Sequence, residues 1–468
     1  MNREYTGGTE NMYYTPSWES LKQHPLPQWF DDAKFGIFIH WGPYSVPHWA
    51  NTEGKFGEID RDLHFTLNPY SEWYLNTLRI AGSPTAKHHE ETYGKDFEYE
   101  RFADLWKAEK WDPEAWASLF EKAGAKYVVL TTMHHDGFNL WPSRYNQEYS
   151  VATKGPKRDL VGELTEAVRQ KNMKMGHYYS GGLNWRFTFE PIVTFEDVKY
   201  VRPITYDFAD YAFKQFAELI EKYQPDILWN DIGWPDKGLE DVKHLFAYYY
   251  NKVPEGVVND RWHIEKNAPN WNHPPEAFET WEDFDTKEYS NDHQAAQKKW
   301  EYTRGMGYSF AFNSNEGDEE TISEEELVTL LIEVVSKNGN LLLNVGPRPD
   351  GTLPEIQVER LHQLGDWLAI NGEGIYGTRP SAQPSVQLNN QTHVYFTQKE
   401  DVTYAFLTGQ IDETVTIQLD QLKQVKHVEA LNSADEVDVL IDGSNVTLKW
   451  LHKASTVAHG FKLIHEDE

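Results

Sequence analysis

The chain has 468 residues, of which 44 are basic and 74 acidic, so its formal net charge is -30. Nucleic acid and anionic membrane surfaces are therefore poor partners for it, and the lack of any cysteine excludes disulfides, thiolate metal sites and cysteine nucleophiles. The first residues, MNREYTGGTE, do not show the basic segment followed by an apolar one that is typical of a secretory signal peptide. We therefore expect a cytoplasmic protein.

Short apolar runs alternate with amphipathic segments along most of the chain. The predicted strands are residues 34–40, 127–132, 174–179, 226–229, 256–259, 308–312 and 340–345, and the predicted helices include 113–123, 160–171, 206–223 and 323–336. Asp112 and either Thr321 or Ser323 are expected to cap two of these helices. Roughly seven or eight strand–helix units, with no glycine-rich nucleotide motif after any strand, predict an α/β fold of the (β/α)8-like (TIM-type) barrel kind.

The sequence pattern changes after residue 378. Four β-rich runs follow at residues 393–397, 402–407, 415–419 and 446–450, and turn residues such as those at 442–445 separate them. Short strands at a spacing of about ten residues indicate a small antiparallel sandwich. We therefore expect a barrel domain that carries the active site over residues 1–378 and a C-terminal β-sandwich over residues 379–468.

Polar side chains close most of the predicted barrel strands. His40 ends the first strand, the pair His134 and His135 follows the second, and Asp231 and Arg261 end two later ones. The carboxyl ends of barrel strands meet at one face. Buried polar groups without partners cost about 1–3 kcal/mol each, so we expect these groups to share a polar cavity.

Three kinds of chemistry are open to such a cavity. A metal site at His134 and His135 is disfavoured because neighbouring residues of an extended chain point to opposite faces and no HExxH motif occurs. A serine nucleophile is disfavoured because the GxSxG turn is missing. A strand-end aspartate between Trp229 and Trp234 suits a glycosidase, in which one carboxylate attacks the anomeric carbon and another protonates the leaving oxygen.

Motifs distributed over the barrel segment carry a resemblance to a known family. They are WFDDAKFGIFIHWG (29–42), SEWY (71–74), MHHDGF (133–138), LWND (228–231), NDRW (259–262), DFDTKEY (283–289), WEYTRGMGYSF (300–310) and NGNLLLNVGPRPDGT (338–352). In these motifs, which follow one another in order, the chain closely resembles the alpha-L-fucosidases of glycoside hydrolase family 29.

The resemblance implies a barrel followed by a β-sandwich, and an exo-acting, retaining enzyme that removes terminal alpha-L-fucosyl residues from glycans. The family works through a covalent fucosyl-enzyme and uses neither metal nor any other cofactor. The aspartate of its LWxD motif is the nucleophile, which corresponds to Asp231 here. The glutamate of its DFxTxEY motif is the general acid/base, which corresponds to Glu288.

Further family positions bind the fucose itself. Imidazoles and carboxylates can form paired hydrogen bonds with vicinal hydroxyls, while Trp and Phe side chains suit the C5 methyl group of fucose. The matching residues in this chain are His40, Glu72, Trp73, His134, His135, Tyr178, Trp229, Arg261 and Phe310.

One departure from the family concerns the acid/base. The segment between residues 262 and 283 is longer than the usual connection and carries Glu276, Glu279 and Glu282. These three glutamates are alternatives to Glu288.

Two other functions remain open. A fucose-binding lectin would keep the cavity without catalysis, and a metal-dependent carbohydrate hydrolase would use His134 and His135. Family members are often oligomers, so a homo-oligomer is compatible with the resemblance.

Overall fold

A parallel sheet of eight strands organises the chain as far as Val345. The computed structural model describes residues 13–263, 282–290, 296–389, 391–419 and 421–465. The strand order is β5-β4-β3-β2-β1-β8-β7-β6, and every described ladder is parallel, which confirms the predicted barrel-like α/β fold. The strands are β1 (Phe35–Ile39), β2 (Tyr127–Met133), β3 (Lys174–Tyr179), β4 (Ile227–Asn230), β5 (Val257–Val258), β6 (Asp285–Glu288), β7 (Trp300–Gly305) and β8 (Gly339–Val345).

The two edge strands of this sheet are joined through side chains. Asp283, just before β6, accepts a hydrogen bond from the Val258 amide at Oδ2 (2.7 Å) and donates its own amide to the Val258 carbonyl (3.0 Å). The amide of Thr286 donates to Asp260 Oδ1 at 3.0 Å. The sheet therefore curls until β6 lies beside β5, and the carboxyl ends of its parallel strands come together at one end of the closed sheet.

Helices connect most of the strands. Asp112 accepts from the amides of Glu114 and Ala115 at the N-terminus of the helix Pro113–Lys122, and Ser323 forms a capping box with Glu326 at the start of the helix Glu324–Ser336. Ser323 rather than Thr321 is therefore the cap. The helices are α1 (Trp18–Leu21), α2 (Gln28–Ala33), α3 (Tyr74–Leu78), α4 (Pro84–Tyr93), α5 (Arg101–Leu105), α6 (Pro113–Lys122), α7 (Leu160–Gln170), α8 (Asp197–Tyr200), α9 (Tyr206–Tyr223), α10 (Val242–Lys252), α11 (Glu324–Ser336) and α12 (Glu355–Asn371), with short 3-10 turns at Pro43–Ser45, Ser71–Trp73, Asp236–Asp241 and Gly372–Gly374. In the described ranges, no helix has both the length and the apolar character needed to cross a bilayer.

The prediction of a strand at residues 308–312 is wrong, and the sequence pattern did not predict β6 and β7. The 308–312 segment is an irregular turn, because side chains rather than a neighbouring strand bind its backbone: Ser309 donates its amide to Glu316, and Ala311 donates its amide to Glu72. β7 contains a glutamate, Glu301, at a fully buried position. β6 has no apolar residue and takes strand form by pairing with β7.

The C-terminal part of the chain folds into two antiparallel sheets, as predicted. The five-stranded sheet has the order β13-β16-β11-β10-β9 and the three-stranded sheet the order β12-β15-β14. The first of these strands begins at Arg379, and the division of the chain into two domains at residue 378 stays a prediction. The strands are β9 (Arg379–Gln387), β10 (Thr392–Lys399), β11 (Val402–Gly409), β12 (Thr414–Gln418), β13 (Val425–Ala430), β14 (Glu436–Asp442), β15 (Asn445–His452) and β16 (Ala458–His465).

Candidate active site

A cavity of about 530 Å3 lies at the carboxyl ends of the parallel strands. The side chains that surround it follow the strand ends or come from the connections between them. All the site residues that the sequence predicts and the structure describes line this cavity, namely His40, Glu72, Trp73, His134, His135, Tyr178, Trp229, Asp231, Arg261, Glu288 and Phe310.

Asp231 follows β4 directly, and three donors hold its carboxylate. The Tyr178 hydroxyl donates to Oδ2 at 2.8 Å, while Arg261 Nη1 and the Ile232 amide donate to Oδ1 at 3.1 and 3.0 Å. Ile232 adopts a positive φ of 58°, which is an outlier for a β-branched residue. Such strain persists only where the surrounding structure enforces it, and here it bends the chain directly after the aspartate.

The charge of Asp231 is stabilised by these neighbours. Burial raises the pKa of this carboxyl, but Arg261, His135 and the Tyr178 hydroxyl outweigh burial, so that its pKa lies below the ordinary value. Asp231 is therefore an anion at neutral pH, with its oxygens fixed and aimed into the cavity.

Glu288 ends β6 and faces the same cavity. Arg261 Nη2 donates to its Oε2 at 2.8 Å, and the Tyr70 hydroxyl donates to its Oε1 at 2.9 Å. Among the alternative glutamates, Glu282 contacts Lys298 Nζ at 3.0 Å and does not line the cavity. Glu276 and Glu279 lie outside the described residues.

Arg261 connects the two carboxylates. Its Nη1 contacts Asp231 and its Nη2 contacts Glu288, while its Nε donates to Thr286 Oγ1 at 3.0 Å. The guanidinium also lies over the Trp229 ring, 4.7 Å from the centroid. Because these contacts use all three guanidinium nitrogens and one ring face, the group is held in a single orientation.

Three histidines contribute neutral imidazoles. His40 Nδ1 pairs with Asn344 Oδ1 at 2.7 Å, and His135 Nδ1 pairs with Ser180 Oγ at 2.6 Å. Burial lowers the pKa of His40 to about 3 and that of His135 to about 4, and it lowers the pKa of His134 as well. Neutral imidazoles can donate to and accept from hydroxyl groups.

Both members of the histidine pair line the cavity. The alternation that separates neighbouring side chains applies only within an extended strand, and β2 ends at Met133, before the pair, so both imidazoles face the cavity. Their ring centroids are 3.9 Å apart, and the Nδ1 atom of His134 has no hydrogen-bond partner among the described residues. Within those residues no group of three His, Cys, Asp or Glu side chains has the geometry to hold a metal ion.

Glu72 comes from the 3-10 turn Ser71–Trp73 and is almost fully buried. Its Oε2 accepts from the Ala311 amide at 2.9 Å and from Ser309 Oγ at 3.2 Å. Burial raises the pKa of Glu72 to about 7 in spite of these hydrogen bonds. The next residue, Trp73, packs edge-on against His135 at a centroid distance of 5.2 Å.

Aromatic rings form an apolar corner of the cavity. The Phe38 ring on β1 and the Tyr178 ring both pack against the Trp229 ring, at centroid distances of 5.1 and 5.5 Å, and the Tyr178 ring is stacked on it. Phe310 lies 4.9 Å from the His40 ring. A small apolar group on a ligand would fit this corner.

Several lining residues were not predicted from the sequence. Phe38 stands two residues before His40 on one strand, so the period of two could have revealed it. Tyr70 immediately precedes the SEWY motif. Thr286, Lys287 and Thr303 stand on β6 and β7, two strands that were not predicted. The others come from α8 and from connections; they are Phe56, Gly57, His64, Phe65, Asn68, Phe195, Val198, Ile232, Gly233, Tyr289 and Ser290.

Glu301 on β7 supports the site from inside the barrel. It is fully buried and accepts hydrogen bonds from the Tyr127 hydroxyl at 2.6 Å and from Trp229 Nε1 at 2.9 Å. Burial raises its pKa to about 7. Glu301 therefore fixes the indole on which the Arg261 guanidinium stacks.

This buried carboxyl predicts a pH dependence of stability. The folded protein keeps the Glu301 proton up to about pH 7, whereas the unfolded chain loses it above about pH 4.5. Between these values the unfolded state binds fewer protons, so the free energy of unfolding falls as pH rises. We expect wild type to lose about 3 kcal/mol more than Glu301→Gln across this window. Urea unfolding at pH 4.5 and pH 7.5 measures the difference, and equal losses in the two proteins would contradict the prediction.

Comparison with known proteins identifies the family. The family model described as alpha-L-fucosidase matches residues 4–373. The chain belongs to the alpha-L-fucosidase family. It is a glycoside hydrolase, and its function is that of an alpha-L-fucosidase acting on fucosylated glycans.

Individual relatives of this alpha-L-fucosidase are similar to it in sequence over most of their length. The tissue alpha-L-fucosidase of Rattus norvegicus is 34% identical over 439 residues, which cover 92% of this chain and 87% of that protein. The tissue alpha-L-fucosidase of Homo sapiens is 36% identical, with 84% and 78% covered. The crystal structure of Thermotoga maritima alpha-fucosidase is 48% identical in sequence and superposes with a TM-score of 0.85. The match covers 96% of this chain and 100% of that protein. That protein has also been solved with fucose and with a mechanism-based inhibitor.

Proposed function

We propose that this alpha-L-fucosidase is exo-acting and retaining, with Asp231 as the nucleophile and Glu288 as the general acid/base. The observation that carries the proposal is that one guanidinium, that of Arg261, contacts both carboxylates in one cavity. Adjacent nitrogens of a single guanidinium hold the two groups close together. Retaining enzymes need a short separation of about 5–5.5 Å, whereas inverting enzymes need room for an extra water.

In the first half of the reaction Asp231 attacks the anomeric carbon of the bound fucoside. The bond from that carbon to the glycosidic oxygen breaks, and the oxygen takes the proton of the Glu288 carboxyl group as it leaves. The product is a fucosyl ester on Asp231, of β configuration. The Tyr178 hydroxyl and Arg261 hold the attacking carboxylate in one orientation, so little rearrangement is needed at the moment of attack.

In the second half Glu288 removes a proton from water, and the water oxygen attacks the same carbon. The ester bond to Asp231 breaks, and fucose leaves with its original α configuration. Formation of the ester has removed the charge of Asp231, so the positive charge of Arg261 then acts on Glu288 alone. Arg261 Nη2 contacts Glu288, the carboxylate that takes up the water proton in this step.

The neighbouring side chains suit a fucosyl ring. Neutral His40, His134 and His135 can bind hydroxyl groups without introducing charge. The apolar corner at Phe38 and Phe310 suits the C5 methyl group, which most hexoses replace with a hydroxymethyl group. The fucose and mechanism-based inhibitor complexes of the Thermotoga maritima protein support the same substrate and a covalent path.

Burial at one end of the cavity supports the exo mode. The polar side chains of the fucose end, His134, His135 and Glu72, are each at most 3% exposed. Burial of this kind suits the terminal residue of a glycan better than a residue within a chain. The cytoplasmic location and a homo-oligomeric state stay predictions.

Stereochemistry tests the proposal. We expect the first product seen by proton NMR during hydrolysis of an aryl alpha-L-fucoside to be alpha-L-fucose, with the β anomer appearing later by mutarotation. The rate is expected to be unchanged in EDTA. Initial formation of the β anomer would exclude a double displacement at this site.

The alternative functions make different predictions. A lectin would bind fucose in a calorimeter without releasing nitrophenol from the aryl fucoside. A metal-dependent hydrolase at His134 and His135 would lose activity in EDTA and regain it on adding a divalent cation.

A further inference from the structure

The cavity extends beyond the groups that suit fucose. Another part of its lining consists of rings from two connections, the one between β1 and α3 and the one between β3 and α8. We call these rings the aromatic wall; they are Phe56, His64, Phe65, Tyr70 and Phe195.

The aromatic wall begins at Tyr70, which contacts Glu288, and continues from ring to ring. The Tyr70 hydroxyl donates to Glu288 at 2.9 Å, and the Tyr70 ring lies parallel to Phe56 at 5.9 Å and 9°. Phe56 meets His64 edge-on at 5.0 Å, and His64 stacks on Phe195 at 4.9 Å. A group leaving past Glu288 would therefore meet a continuous ring surface.

The rings of the wall carry no charge at neutral pH, and a guanidinium, that of Arg61, lies over the Phe195 ring at 5.1 Å from its centroid. Burial lowers the pKa of His64 to about 4, so this imidazole is neutral at neutral pH. The acidic residues that line the cavity within the described ranges are Glu72, Asp231 and Glu288, all at the fucose end. Lys287 also lines the cavity, and its ammonium lies 4.7 Å from the centroid of the Trp300 ring.

We propose that the aromatic wall is the aglycone subsite, and that it binds a neutral ring with an apolar face, either an aryl group or the C–H face of a pyranose. The inference rests on the proposed function, because it takes Glu288 as the acid. The acid must contact the glycosidic oxygen, so the aglycone lies on the Glu288 side of the fucosyl ring. Tyr70 contacts that acid and is itself the first ring of the wall.

Binding by aromatic rings affects which linkages and aglycones the enzyme accepts. Rings bind an apolar face without reading the positions of its hydroxyl groups. The enzyme is therefore expected to accept several linkages and aglycones, and to bind the same rings as acceptors for the fucosyl-enzyme.

Phe56→Ala and Phe195→Ala test the subsite, and Phe189→Ala is the matched control. Phe189 lies on the same connection as Phe195, is 76% exposed and does not line the cavity. Each variant is assayed for kcat/KM with three substrates: alpha-L-fucosyl fluoride, which has no aglycone ring, 4-nitrophenyl alpha-L-fucoside, and a fucosyl-pyranose disaccharide. Thermal unfolding confirms that each variant is folded.

The ratio of kcat/KM for each ring-bearing substrate to kcat/KM for the fluoride is the readout. Loss of one stacking ring is expected to lower this ratio about 3- to 10-fold in Phe56→Ala and Phe195→Ala, and to leave it at the wild-type value in Phe189→Ala. A fall for the nitrophenyl substrate alone, or for the disaccharide alone, would assign the subsite to aryl groups or to pyranoses.

Two other outcomes separate the inference from the proposed function. Ratios equal to the wild-type value in both wall variants would overturn the aglycone subsite while the fluoride is still hydrolysed with retention. Failure of the wild-type protein to hydrolyse the fluoride would overturn the proposed function itself.

Discussion

Replacing Asp231 by alanine is expected to lower kcat for 4-nitrophenyl alpha-L-fucoside by at least about 10⁴-fold. The covalent path needs an oxygen at this position, and no other carboxylate among the described lining residues contacts both Tyr178 and Arg261. The fold should survive, because Arg261 keeps its ion pair with Glu288 and its contact with the Trp229 ring. Fucose binding measured by calorimetry should remain within about tenfold of wild type.

Sodium azide sharpens this experiment. In Asp231→Ala, azide can occupy the space of the lost carboxylate and attack the substrate directly, which gives the β-fucosyl azide. Asp136→Asn is the control, because Asp136 is another buried aspartate after a barrel strand but contacts Tyr99 and does not line the cavity. That variant should turn over at close to the wild-type rate. Activity of Asp231→Ala within about tenfold of wild type would show that the nucleophile lies elsewhere.

The second large effect is expected for Glu288→Ala. Loss of a general acid/base lowers the rate by about 10²–10⁴-fold, and the loss is largest where the leaving group needs a proton. With the nitrophenyl fucoside the first step needs little protonation, so the fucosyl-enzyme should form and then accumulate because no base activates water. A burst of nitrophenol followed by slow turnover, and a mass increase of one fucosyl group on the intact protein, are the expected measurements.

Azide distinguishes this role from that of Asp231. It attacks the β-linked fucosyl-enzyme without a base, so turnover of Glu288→Ala should be restored and the product should be the α-fucosyl azide. The two variants are therefore expected to give azides of opposite configuration, which proton NMR separates.

The other glutamates serve as controls for the acid/base. Glu282→Ala should behave like wild type, because Glu282 pairs with Lys298 and lies off the cavity. Glu276→Ala and Glu279→Ala address the two positions outside the described residues. Near wild-type activity of Glu288→Ala, together with azide rescue of one of these three variants, would move the acid/base to that glutamate.

Local sequence predicted the regular elements well where side-chain pattern and secondary structure agree. Helix α9 (Tyr206–Tyr223) has the predicted bounds, and Asp112 and Ser323 cap the helices that the pattern assigned to them. These features depend on residues within a few positions of one another, so no distant partner is needed to specify them.

Local pattern failed at strands whose stability comes from distant residues. β7 contains Glu301, which is buried only because Tyr127 and Trp229, from two other strands, donate hydrogen bonds to it. The apolar residues 308–312 do not form a strand, because Glu72 and Glu316 bind their backbone amides. In both cases partners far along the chain override the local preference.

The sequence by itself determined the family, the barrel with its sandwich and the identity of many residues that line the cavity, since these residues lie in motifs at the ends of strands. Only the tertiary structure decided how these residues are connected. The bridge from Asp231 through Arg261 to Glu288 joins three separate strand ends, and Tyr70 reaches Glu288 across 218 positions of sequence. The aromatic wall likewise joins two connections that have no shared pattern. Such contacts depend on how the closed sheet brings strand ends together, which no stretch of local sequence encodes.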